Sequence, residues 1–71
     1  MLTTTEYDAL ERAIGEGLRV AFTWRGAEHV VLPVRIRATG GREALETTNP
    51  SSGHQLIVPL DDMTRLHLVG A

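Results

Sequence analysis

The 71-residue sequence predicts a mainly β domain led by one N-terminal α-helix, and three observations carry that reading. An apolar stripe of helical period runs through the first part of the chain. Apolar and polar residues then alternate with a period of two through several short segments. Gly26, Gly40-Gly41 and the Asn49–Gly53 cluster fall between these segments, where turns belong.

The helix is expected over about residues 4–15. Thr3 with Glu6, or Thr5 with Asp8, has the spacing of a capping box, in which a hydroxyl and a carboxylate satisfy backbone N–H groups at the helix start. Acidic residues there also suit the positive end of the helix dipole. Tyr7, Leu10, Ala13 and Ile14 form one apolar stripe, and Gly15 and Gly17 supply the stop. So short a helix is marginal alone and must lie against an apolar surface.

Strands fill about residues 18–69. Leu18, Val20, Phe22 and Trp24 alternate with Arg19, Ala21, Thr23 and Arg25. Val30, Leu32, Val34 and Ile36 alternate with Val31, Pro33, Arg35 and Arg37. A two-residue turn at Gly26-Ala27 would set Phe22 opposite Val31 and turn Leu32 and Val34 away from Phe22. A three-residue loop, Gly26 to Glu28, sets Phe22 opposite Leu32 and Val20 opposite Val34, with both apolar rows on one face. The longer loop, or a bulge at that place, is therefore expected. Gly40-Gly41 suits a two-residue turn that pairs Ile36 with Leu45, Arg37 with Ala44 and Arg35 with Glu46. Asn49–Gly53 reads as a loop, and Gln55–Leu60 as a fourth strand with Leu56, Val58 and Leu60 inward. Asp61-Asp62-Met63 reads as a tight turn before a short last strand with Leu66 and Leu68 inward. Five short antiparallel strands in consecutive order close economically into an SH3-like or Sm-like small barrel, which removes exposed edges. The helix would cover one open end, burying Leu10 and Ile14.

Composition narrows the function classes. There is no cysteine, hence no disulfide and no thiolate chemistry. No apolar run approaches a membrane span, and the first residues lack the pattern of a signal peptide, so a cytoplasmic protein is expected. The net charge of −2 conceals a segregation. Residues 1–17 carry four acids against Arg12, residues 18–42 five arginines against Glu28, and residues 43–71 four acids against Arg65.

No constellation expected of an enzyme is legible. His29, His54 and His67 lack the spacing of a metal site, and no cofactor motif is present. Ser51, Ser52, His54, Asp61 and Asp62 lie near one another in sequence, but the serines sit in a turn-forming segment rather than on a nucleophile elbow. The outward-row arginines Arg19, Arg25, Arg35 and Arg37, with Arg42 at the next turn, are the candidate binding residues for an anionic ligand or single-stranded nucleic acid. Ordinary pairing of these arginines with Glu28, Glu43 and Glu46 accounts for the same pattern without a ligand. Phe22 and Trp24 alternate inward and are assigned to the core.

Two family resemblances add to this reading. ALERAIGEGLRVAFTWRGAEHVVLPVRI resembles the opening of a WYL domain, with a short helix, a strand ending in aromatic-Arg-Gly, and a Val-x-Pro step at Val31-Leu32-Pro33. IVPLDDMTRLHL is similar to that family's closing strand, Leu-Asp turn and last strand. The resemblance implies a Sm-like barrel that senses nucleic acid, nucleotides or another ligand and controls transcription. Of the family's Trp-Tyr-Leu triplet only Leu45 is kept, Glu43 and Ala44 standing at the other places. The basic residues that commonly flank its Leu-Asp step align with Pro59 and Asp62. Separately, TEYDALERA is similar to the Tyr-Asp-x-Leu-Glu-x-Ala opening of Rof-like proteins. That resemblance implies a small barrel inhibiting the termination factor Rho, here through the helix acids Glu6, Asp8, Glu11 and Glu16. A third class is a homo-oligomer joined through an open strand edge.

Overall fold

A computed structural model describes residues 2–70. Helix α1 (Thr4–Glu16) is followed by strands β1 (Val20–Trp24), β2 (Ala27–Thr39), β3 (Arg42–Thr48), β4 (Gln55–Pro59) and β5 (Thr64–Leu68), with a 3₁₀ turn (Leu60–Asp62) between the last two. The strands form a five-stranded antiparallel sheet in the order β4-β3-β2-β1-β5.

Of the two capping boxes compatible with the sequence, the chain uses the first. Thr3 accepts the Glu6 N–H at 3.1 Å, and Glu6 accepts the Thr3 N–H at 2.9 Å. Gly17, in the left-handed conformation at φ 70°, ends the helix, whereas Gly15 lies inside it. Leu10 and Ala13 are fully buried, and Ile14 packs at the margin of the core.

The β1–β2 hairpin departs from expectation. Its turn is Arg25-Gly26, with φ of 51° and 76°, the pair of positive values that a tight hairpin turn with the twist of its strands requires. Trp24 therefore faces Ala27, Phe22 faces His29 and Val20 faces Val31. The inward row of β2 begins with His29, Val31 and Pro33, while Val30 and Val34, assigned inward from the alternation, are 42% and 47% exposed. The bulge that the sequence requires lies instead between Pro33 and Arg35, where the pairing with β3 shifts by one residue. Beyond it the inward row continues at Ile36, and the β2–β3 pairing is the expected one: Ile36 with Leu45, Arg37 with Ala44 and Arg35 with Glu46. One extra residue at Val34 thus changes the phase of a 13-residue strand and lets both halves bury apolar side chains.

The sheet is not closed into a barrel: β4 and β5 are its two edges. A second bulge interrupts the β1–β5 ladder opposite Phe22, with Arg65 in the left-handed region at φ 57°. It leaves the Leu66 N–H to the Glu6 carboxylate of α1, at 2.8 Å. The helix, not strand pairing, satisfies the Leu66 amide.

Phe22, Leu10, Leu45, Met63, Val20 and Val58 are fully buried in one core cluster. Met63, read as a turn residue, is part of this core. Burial of apolar surface is the main stabilising contribution in so small a domain, at about 25 cal/mol per Å² removed from water.

Candidate functional site: an arginine-rich sheet face

Alternation along β2 and β3 builds this face. Ile36 and Leu45 point to the core, so their neighbours Arg35, Arg37 and Glu46 point away from it. Arg42, opposite Thr39, shares that side of the sheet. The Arg35 and Arg37 Nε atoms lie 2.9 and 3.2 Å from the same Glu46 oxygen. The Glu46 side chain is only 16% exposed, against 65% for Arg35 and 49% for Arg37. One sheltered carboxylate therefore orients two guanidinium groups whose outer edges face solvent. Arg42 lies 4.0 Å from Asp62, which ties the β2–β3 turn loosely to the 3₁₀ segment.

Of the remaining candidate arginines, Arg25 lies in a turn, which corrects its assignment to an outward strand row, while Arg19 stands exposed just before β1. Arg19 precedes β1, and its carbonyl accepts the Val69 N–H at 3.0 Å. Arg25 occupies the β1–β2 turn, its guanidinium 4.5 Å from the centre of the Trp24 ring. The positive φ that the tight turn demands moves Arg25 out of the strand. Arg25 and Arg42 flank opposite ends of β2, so the five arginines do not form a single patch.

The acidic helix is likewise divided. Glu6 serves the capping box and the Leu66 amide, and its pKa is lowered mainly by the Thr3 backbone N–H, with Leu66 helping. Glu16 pairs with Arg12 at 3.0 Å. Asp8 and Glu11 are exposed. Tyr7 gives its hydroxyl proton to Glu43 at 3.0 Å, and this bond raises the Tyr7 pKa.

The Asn49–Gly53 segment is a self-bonded turn. The Asn49 side-chain oxygen accepts the N–H groups of Ser51 and Ser52, and Ser52 Oγ accepts the His54 N–H. These serines thus carry the turn role that the sequence suggests. Among the described residues no group of three or more His, Asp or Glu side chains could hold a metal ion. No helix there is long and apolar enough to cross a membrane.

A cleft of about 330 Å³ lies between the first residues of β2 and the β3–β4 hairpin, lined in part by His29, His54 and Gln55. The alternation pattern does not reveal it, since it depends on where β2 parts from β3.

The chain matches no protein-family model, and comparisons with curated proteins and with solved structures likewise return no match.

Proposed function

We propose that this chain is a non-enzymatic binding module of SH3-like or Sm-like type, taking a phosphate-bearing ligand or single-stranded nucleic acid on the face formed by Arg35, Arg37 and Arg42. The carrying observation is the shared Glu46 anchor, which holds two exposed guanidinium groups side by side and leaves the pair with net positive charge. The strand order, with a long bulged β2 shared by two ladders, supports an SH3-like or Sm-like strand arrangement in a sheet that stays open. The WYL-like resemblance supports a role in transcription control. The Rof-like alternative retains Asp8 and Glu11 as exposed acids for a protein partner, whereas Glu6 is engaged by Thr3 and Leu66 and Glu16 by Arg12.

The test is fluorescence anisotropy of a labelled short single-stranded RNA or DNA at two salt concentrations. Affinity should fall steeply with salt, as counterion release requires, and the Arg35→Ala, Arg37→Ala double variant should lose it while remaining folded. No binding at low salt refutes this reading and turns attention to the acidic helix.

A further inference from the structure

β2 changes partner along its length, so each part of it is paired on one side only. From Thr39 back to Leu32 it pairs with β3, and that ladder stops at the Leu32–Thr48 pair. From Val31 back to Ala27 it pairs with β1 alone. In an antiparallel strand alternate residues aim both N–H and C=O to the same side, so this stretch turns a row of unpaired backbone groups away from β1. That row is one wall of the 330 Å³ cleft, and the β3–β4 hairpin is the other.

The walls have two chemically different sides. The β3 partners place Leu56 on the inner side of the sheet with His29 and Val31, and Gln55 on the outer side with Glu28 and Val30. The inner side is apolar and aromatic: the His29 ring stacks on Phe22 at 5.7 Å and lies 5.6 Å from Trp24. Beside it the Trp24 indole N–H is buried with no acceptor among the described residues. The outer side carries Glu28, exposed and in no ion pair among the described residues.

We propose that this cleft receives an extended peptide segment of a partner protein, added as a strand on the free edge of β2 at Ala27–Val31. An extended chain is the occupant whose own alternating N–H and C=O groups complete such a row. Its alternate side chains would meet the two sides in turn, an apolar residue against Val31 and Leu56 and a basic one near Glu28. This surface is separate from the arginine face, and the two readings stand or fall independently.

The experiment uses the isotopically labelled full chain and the blocked peptide acetyl-Lys-Val-Lys-Val-Lys-amide, followed by amide and indole N–H chemical shifts. Shifts should concentrate at Ala27–Val31 and Asn49–Leu56, with the Trp24 indole signal moving as well. Two peptides N-methylated at alternate backbone positions then separate strand addition from simple charge attraction. Methylation of the nitrogens facing β2 should weaken binding at least about tenfold, the other pattern little, because each lost N–H removes one ladder bond. The Glu28→Gln variant should weaken binding of the lysine peptide and narrow its advantage over acetyl-Glu-Val-Glu-Val-Glu-amide. Equal binding of both methylated peptides, shifts confined to α1 or to Arg35–Arg42, or no shift at about 5 mM peptide would overturn the proposal.

Discussion

The Glu6 carboxylate accepts the Leu66 backbone N–H at 2.8 Å, joining residues 60 apart in sequence, while its other oxygen accepts the Thr3 N–H. One side chain thus caps the helix start and satisfies an amide that a bulge has released from the β1–β5 ladder. Replacing it by alanine should cost about 1–2 kcal/mol, the range of a lost cap plus a charge-assisted bond. Glu6→Gln, which retains the shape, should cost less, and urea unfolding of both variants measures the difference.

The same contact makes stability depend on pH. The Glu6 pKa is lowered from its ordinary 4.5, chiefly by the Thr3 N–H. A lowered folded-state pKa means that the carboxylate's contribution is present above the unfolded value and disappears as pH falls through the folded one. Acid unfolding of the Glu6→Gln variant should accordingly show a shallower loss of stability below about pH 4.5 than the parent chain.

Tyr7 and Glu43 form the second tie between helix and sheet, at 3.0 Å. Tyr7→Phe should destabilise the domain by about 0.5–1.5 kcal/mol, the net worth of an ordinary hydrogen bond and at the low end because the pair is exposed. Tyr7 is the only tyrosine, so ultraviolet titration reads its ionisation directly. It should titrate above its ordinary 10.0, and Glu43→Gln should bring it down. Since the raised pKa belongs to the folded state, this contribution holds below pH 10 and is lost as pH rises through the folded value.

The bulge at Val34 is tested by deletion. Without that residue the two halves of β2 cannot both keep their inward rows, because a one-residue slip turns every side chain of a strand to the other face. Deleting Val34 should abolish cooperative thermal unfolding, while Val34→Thr, at a position 47% exposed, should leave it nearly unchanged.

Glu46 reports on the arginine face. Because its carboxylate holds Arg35 and Arg37 side by side, Glu46→Ala should weaken binding of a single-stranded oligonucleotide in the anisotropy assay even though it raises the local positive charge. Stronger binding by this variant, with the fold intact, would show that charge alone and not the Glu46 anchor makes the site.

Much of the architecture was legible in local chemistry. Thr3 and Glu6 at cap spacing, Leu10 and Ala13 on one stripe, and Gly40-Gly41 between alternating segments determine the helix and the β2–β3 register, since each depends on residues close in the chain. Arg35 opposite Glu46 follows from that register. Alternation alone puts Val30 and Val34 on the wrong side, because two apolar rows of opposite phase overlap in one run and the pattern does not say where a bulge falls. That choice was made by packing: Val31 and Pro33 must meet the same core as Ile36, and Arg25 must leave the strand for the tight turn. The open edges, the Glu6–Leu66 contact and the cleft beside His29 were likewise decided only by the tertiary structure. They join residues far apart in sequence, whose meeting depends on how the bent β2 divides its partners.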